Sequence, residues 1–271
     1  MEKIMKLLAI DIAEKDFPVV DKDDTLSHAF KLMEKFAIDR VLVTDDKMLV
    51  GIMTKRDVLG KLMVERTRLS TASSLHISSF MNQPIISALP TVTLKEAAFL
   101  MTSKGIGSLP LVDGEGIKSL LHKIDFAKPF LDTDYPKVGD LMVQISKVAR
   151  VGERVLKLRE EFLRGSMILV PVVDSKDKIL GMITVNELAD AMLAYHEKVV
   201  ESRRKRVRKE IFAEEIMYRP PLIVEPDEPI SVAAKLMIEN RKPGVIVAEK
   251  GEVKGILTAE SLLRYISSGT S

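Results

Sequence analysis

Four short stretches of this 271-residue chain carry residue types and spacings that could do chemistry: Thr54 to Asp57 (TKRD), His122 to Asp125 (HKID), Thr184 to Glu187 (TVNE) and Thr258 to Ser261 (TAES). Each ends an apolar run and opens a segment of helical pattern. A hydroxyl followed three residues later by an acid is first of all a capping box, in which each group satisfies the other's free backbone N–H. Such a cap contributes about 1 kcal/mol and needs no ligand. Thr184 and Glu187 are fully explained that way. Thr54 and Asp57 fit less well, because Asp57 is a methylene shorter than the Glu or Gln of a capping box. Lys55 and Arg56 also place two cations in the first helical turn, where the helix dipole disfavours them. An anion bound at the free N–H groups would turn that cost into a gain. A short carboxylate beside it can accept both hydroxyls of a ribose. His122 is a poor cap, yet Asp125 keeps the acid and Lys123 a charge, which makes a second and weaker site. The fourth stretch has Ser261 in place of the acid, so Thr258 is chiefly a cap.

The elements that must position these groups recur with them. Upstream of each stretch lies an amphipathic stripe: Leu26, Ala29, Phe30 and Met33; Leu94, Ala97, Ala98 and Met101; Ile230, Ala233, Ala234 and Met237. The third copy keeps Val155, Leu158 and Phe162, but Arg159 breaks its set. These are one-sided helices. From the first stripe residue to the apolar run that ends in each stretch the distance is 25, 25, 26 and 25 residues. Between them lie two β-branched runs joined by turns rich in Asp, Gly or Lys, and a short strand (FPVV, PIIS, KVAR, PLIV) precedes each helix. The chain therefore repeats a β-α-β-β-α unit four times. A unit of about sixty residues buries too little alone, so the units should pair. The segment Phe130–Asp140, with its Pro and acids, divides the pairs. The expected domains are 1–133, with units 1–66 and 77–130, and 134–271, with units 137–193 and 212–267 joined by a long basic helix.

Composition narrows the function. With 46% hydrophobic and 30% charged residues the chain can bury a core and stay soluble, and a formal charge of +2 sets no bias toward nucleic acid or membrane. No apolar run is long enough to span a bilayer and no signal peptide is visible. There are no cysteines, which excludes disulfides and thiol catalysis and points to the cytoplasm. Few Asn and Gln beside many Lys, Arg and Glu is a thermophile pattern. The four histidines have no metal spacing, the Gly-x-Gly stretches lack a dinucleotide fingerprint, and no nucleophile–base set occurs. One segment departs from the repeat. Glu201–Glu210 holds six basic residues at 203–209. It reads as a solvated continuation of the helix striped by Leu188, Met192, Tyr195 and Val199, or alternatively as a contact for nucleic acid or an acidic partner.

Four β-α-β-β-α units, each with a G-h-h-T-x-x-D-like ending, resemble cystathionine-β-synthase (CBS) domains. Paired, they resemble two Bateman modules in tandem, as in stand-alone archaeal CBS proteins and the gamma subunit of AMP-activated protein kinase. The resemblance covers essentially the whole chain. It implies an α/β (α+β) fold and a regulatory protein that is not an enzyme and needs no cofactor. An adenosine-containing ligand (AMP, ADP or ATP) would bind between paired units and signal its presence to a protein partner. It places Asp57 on the ribose, Thr54 near ribose or phosphate, and adenine against Phe17, Pro18 and Val19. Arg40 would contact phosphate; its equivalents Ser108, Leu169 and Gly244 are uncharged, which favours the first module. His122, Lys123 and Asp125 would form the second site, and Thr184, Glu187 and Thr258 are minor candidates. The alternatives are S-adenosylmethionine or a related nucleoside, a nucleic-acid-associated protein acting through 203–209, and a structural module with empty clefts. Because Bateman modules pair into disks, the resemblance also implies a homodimer.

Overall fold

A computed structural model of the protein describes residues 4, 6–62, 71–164, 167–202 and 210–269. The basic run 203–209 lies outside the described residues. In the first repeat, β1 (Val19–Asp21) lies parallel to β2 (Arg40–Asp45), and β2 turns into antiparallel β3 (Met48–Thr54). Helix Leu26–Lys35 crosses over between β1 and β2, capped by the Thr25 hydroxyl, which accepts from the His28 N–H. The hairpin turn needs two residues at positive φ, and Asp46 (47°) and Lys47 (66°) supply them. The third repeat has the same order in β6 (Ala149–Arg150), β7 (Leu169–Val173) and β8 (Ile179–Thr184), and the fourth in β9 (Ile223–Val224), β10 (Gly244–Glu249) and β11 (Glu252–Thr258). In the second repeat β4 (Ser108–Asp113) and β5 (Gly116–His122) form the hairpin, and the first strand shrinks to a bridge between Ala88 and Leu111. The helix after β5 is a 3-10 helix, Lys123–Phe130, containing Pro129. Pro129 would clash with the carbonyl four residues back in an α-helix.

A feature the repeat spacing did not disclose locks the repeats together. Ahead of each repeat is a short helix that docks on the neighbouring repeat of its own module. Ala9–Ile12 packs on the second repeat, with Ala9 N donating to Val92 O at 2.9 Å and Leu120 N to Glu14 O at 2.8 Å. Ile77–Ser79 packs back on the first, where Asn82 N donates to Ile52 O at 2.8 Å. Val138–Leu141 and Ala213–Ile216 make the same exchange between the fourth and third repeats, through bridges Val143–Ile256 and Met182–Tyr218. The glycine of the repeated ending makes room for this docking. A Cβ on Gly51 would lie 2.8 Å from Asn82 O, one on Gly181 2.8 Å from Tyr218 O, and one on Gly255 2.6 Å from Val143 O.

The two modules then pair within the one chain. Helix Lys55–Lys61 packs on Val185–Ser202, helix Leu94–Lys104 on Ala259–Ser268, and the 3-10 helix on Ile230–Glu239. A single core runs through the second and fourth repeats, from Leu94 and Phe126 to Met237 and Leu262. The first and third repeats keep separate cores, Leu59 of the first lying in that of the third. Arg159, the residue that interrupts its helical stripe, explains itself here. Its guanidinium donates to Leu59 O and Leu62 O, both at 3.0 Å, across the module boundary.

Candidate functional site

The four stretches converge on one cavity of about 1470 Å³ at the centre of the molecule. It is lined by Thr54, Arg56 and Asp57 of the first repeat, His122, Lys123 and Asp125 of the second, Thr184 of the third and Glu260 of the fourth. Thr54 and Asp57 do form a complete capping box. Asp57 Oδ2 accepts from Thr54 N at 2.8 Å and from Thr54 Oγ1 at 2.6 Å, while Asp57 N donates to Thr54 Oγ1 at 3.2 Å. The shorter side chain therefore reaches after all, because a single oxygen serves both Thr54 groups. Asp57 Oδ1 accepts no hydrogen bond among the described residues, and the side chain lines the cavity. Pro84, Ile85 and Ile86, just after the docked segment whose Asn82 pairs with Ile52, line the same cavity.

Arg40 starts β2 in register with Thr54. Its guanidinium grips Asp39 with Nε at 2.7 Å and Nη2 at 3.1 Å. Nη1 is buried without a partner, beside Gly107 of the second repeat, where an added Cβ would come within 3.2 Å of it. Burial pushes the Asp39 carboxyl up, but the adjacent Arg40 charge and hydrogen bonds outweigh this and hold it below the usual range. His122 is 6% exposed and its Nε2 is also buried without a partner. Burial first, then the charges of Arg40 and Lys128, lower its pKa to about 3, so the ring is neutral near pH 7. Asp125 is fully engaged, with Oδ2 accepting from His122 N at 2.7 Å and Oδ1 paired with Lys128 at 2.8 Å. Burial raises its pKa against the pull of Lys128.

In the second module the corresponding places are filled from within. Glu187 caps Thr184, accepting from its N at 2.8 Å and its Oγ1 at 2.5 Å, and its other oxygen pairs with Lys242 of the fourth repeat. Lys242 lies 4.2 Å from the centroid of the Tyr218 ring, whose hydroxyl donates to Asn240 at 2.8 Å. Burial pushes Glu187 up, but Lys242 and the cap bonds outweigh it and lower its pKa. At the fourth stretch only hydroxyls meet: Thr258 Oγ1 and Ser261 Oγ lie 3.3 Å apart, both buried.

The CBS-domain family model matches four segments, residues 9–64, 77–131, 138–194 and 213–268. The chain belongs to the CBS-domain family. It is 24% identical over 263 residues to the uncharacterized protein MJ1225 of Methanocaldococcus jannaschii, covering 90% of this chain and 92% of the relative. An inosine-5'-monophosphate dehydrogenase of the same organism is 32% identical over 108 residues, 40% of this chain but only 20% of that enzyme. In three dimensions the chain is similar to the crystal structure of MJ1225, described as a candidate archaeal homologue of g-AMPK, with TM-score 0.79 and 21% identity, covering 96% and 99% of the two chains. A conserved protein of Pyrococcus horikoshii aligns with TM-score 0.63 and 16% identity over 96% and 100%. These structural likenesses establish the four-repeat CBS fold.

Not every residue singled out in the sequence faces this CBS cavity. Lys55 turns away from it to Asp190, with Nζ at 2.6 Å from Oδ1, and its ammonium lies 5.8 Å from the Phe30 ring centroid. Arg56 borders the cavity, but its guanidinium donates to the carbonyls of Phe162 at 3.2 Å and Met167 at 2.5 Å. Lys123 pairs with Glu260 at 2.6 Å. All three cations tie the first module to the second. Phe17, Pro18 and Val19 lie outside the cavity lining; Pro18 is buried and Val19 is 42% exposed. The segment before β1 instead runs along β5, where Glu14 borders the Asp125 side of the cavity. Helix exchange is the reason: each pre-strand segment pairs with its neighbour's ending, so Asn82 pairs with Ile52 just ahead of Thr54. The sequence reading missed Asn82–Ile86, Asp39, Glu14, Tyr218 and Lys242. Gly51, Gly181 and Gly255 were the available signal, since a glycine in a strand marks close backbone approach. Among the described residues no group of three or more His, Asp or Glu could hold a metal ion, and no helix is long and apolar enough to cross a membrane.

Proposed function

We propose that this protein is a non-catalytic sensor of an adenosine-containing ligand, an adenine nucleotide in first place, bound in the first module at Asp57. The observation that carries this reading is the Asp57 carboxylate, which caps its helix with one oxygen and leaves the other without a hydrogen bond among the described residues, on a side chain that lines the same cavity as Pro84, Ile85 and Ile86. A ribose diol can donate to that oxygen, and the apolar wall suits an adenine face. Arg40 Nη1, buried without a partner, supplies a cation for phosphate. Four CBS segments make up most of this chain, and the ligand's effect would reach a protein partner through the relative set of the repeats.

Calorimetry with adenosine, AMP, ADP, ATP and S-adenosylmethionine tests it. Adenine nucleotides should bind more tightly than adenosine, and Asp57→Ala should weaken binding by about 1.5–3 kcal/mol, the worth of a hydrogen bond to a charged group. An unchanged affinity in Asp57→Ala sinks the site. Equal or tighter binding of S-adenosylmethionine, which has no phosphate, would shift the reading to that class.

A further inference from the structure

Helix Lys55–Lys61 carries Asp57, yet much of what holds it lies in the third repeat. Its seven residues are too few for a helix to stand unaided in water, and Gly60 inside it weakens it further. It also ends without a glycine cap. Leu62 is extended there, at φ −73° and ψ 147°, so the last carbonyls of the helix need partners from elsewhere. Arg159 supplies them. Its Nε donates to Leu59 O at 3.0 Å, and its Nη2 to Leu62 O at 3.0 Å and Gly60 O at 3.4 Å. Arg56 does the reverse, donating to Phe162 O at 3.2 Å, in the last turn of helix Val155–Arg164, and to Met167 O just beyond at 2.5 Å. Each helix thus closes the other's C-terminal end with an arginine, where a cation also suits the helix dipole. The packing is shared in the same way: Val58 and Leu62 belong to the core of the first repeat, Leu59 to that of the third.

The seam between the second and fourth repeats has no such exchange. In the repeat register Ile124 stands for Arg56 and Ala234 for Arg159, and the two elements meet in one continuous apolar core. The arginines occur at the seam that adjoins the Asp57 cleft. We infer that Arg159 is a positioning residue for that cleft: from the third repeat it seats the helix that bears Asp57, with Arg56 completing the clasp. The inference rests on the adenosine reading of the cleft. Pro84 to Ile86, which line the same cavity, come from the lead-in to the second repeat, so the seat of the helix decides how the acid meets them. Coupling between two binding equilibria is reciprocal. A ligand that fixes Asp57 therefore tightens the clasp, and occupancy gains a route from the first module into the second.

The test reads binding and backbone protection together. Arg159→Met keeps the stem and loses the donors, and Arg159→Lys keeps a cation. Lys147→Met breaks the ion pairs with Glu153 and Glu161 in the same repeat. Calorimetry should show AMP and adenosine weakened alike in Arg159→Met, by at least about tenfold, within the usual range of coupling between sites. The loss should be smaller in Arg159→Lys and absent in Lys147→Met. In hydrogen exchange, AMP should slow peptides over both Lys55–Lys61 and Val155–Arg164 in the wild type, and only the first in Arg159→Met. Unchanged affinity in Arg159→Met, an equal loss in Lys147→Met, or a loss confined to AMP overturns the inference. So does AMP protection that never reaches Val155–Arg164. If the wild type binds neither AMP nor adenosine, the adenosine reading fails by itself, and the ligand-free protein judges the clasp. Faster exchange over Lys55–Lys61 in Arg159→Met than in Lys147→Met then upholds Arg159 as the hold on that helix, and equal exchange sinks it as well.

Discussion

In the first module Asp57 spends one carboxylate oxygen on its cap and has no hydrogen bond to the other among the described residues, whereas Glu187, at the same register of the third repeat, spends both. The difference follows from two further residues. Where Lys242 of the fourth repeat meets Glu187, the second repeat has Ile106 in the same place before its hairpin; where Tyr218 sits under that lysine, the first module has Asn82. One repeat architecture therefore yields an open cleft or a self-filled one according to whether the neighbouring repeat brings a cation to the acid. The fourth repeat goes further and loses the acid. Whether the acid of a repeated ending is left free is set by pairs of repeats, not by the ending itself.

The largest effect expected of that comparison is on stability. Glu187→Ala removes a cap acceptor and leaves Lys242, only 12% exposed, without its partner. Breaking a buried ion pair costs about 3–5 kcal/mol, so urea unfolding should show a loss of about 3 kcal/mol or more. Ligand affinity at Asp57 should stay the same. A small stability change would mean that Lys242 finds water easily and that the third cleft is open.

Acid sharpens the same contrast. Glu187 has its pKa lowered in the folded protein, so the stability it contributes is present above the ordinary carboxylate value of 4.5 and is lost as pH falls through the folded value. Asp125 in the first module is shifted the other way by burial, so protonation there favours the folded state as pH falls. Urea midpoints from pH 6 down to pH 3 should therefore drop more steeply in the wild type than in Glu187→Gln. Parallel curves would remove Glu187 as the acid-sensitive point.

Much of the architecture could be read from the chain because it rests on local periodicity. The stripe at Leu26, Ala29 and Met33 is buried as its spacing requires, and so are its counterparts at Leu94 and Ile230. What escaped was set by contacts far apart in sequence. The docked helices, such as Ala9–Ile12 and Val138–Leu141, are four residues long and too short to show a period. Their exchange moved the wall of the Asp57 cleft from Phe17–Val19 to Pro84–Ile86. The partners of the cations escaped for the same reason. Lys55 meets Asp190, 135 residues away, and Lys242 meets Glu187, 55 residues away. Lys55 and Arg56 would be disfavoured in the first turn of an isolated helix. In the folded chain Lys55 pairs with a carboxylate of the other module and Arg56 donates to two backbone carbonyls.

The smallest effect tests that last point. If Lys55 acts as a tie between the modules, Lys55→Ala should leave AMP affinity within about twofold of wild type, because its ammonium points to Asp190 and away from the central cavity. Stability should fall only slightly. The Asp190 side chain is 52% exposed, so solvent screens the pair, and such ion pairs contribute about 0.2–1 kcal/mol. The contact over Phe30 adds about 0.5–1 kcal/mol. Calorimetry for the affinity and a thermal melt for the stability separate the two roles. A large loss of AMP affinity without a change in the melt would return Lys55 to the anion site and make the two modules more alike than their geometry indicates. A lowered melt with AMP affinity intact would fix it as part of the joint that holds the open module against the closed one.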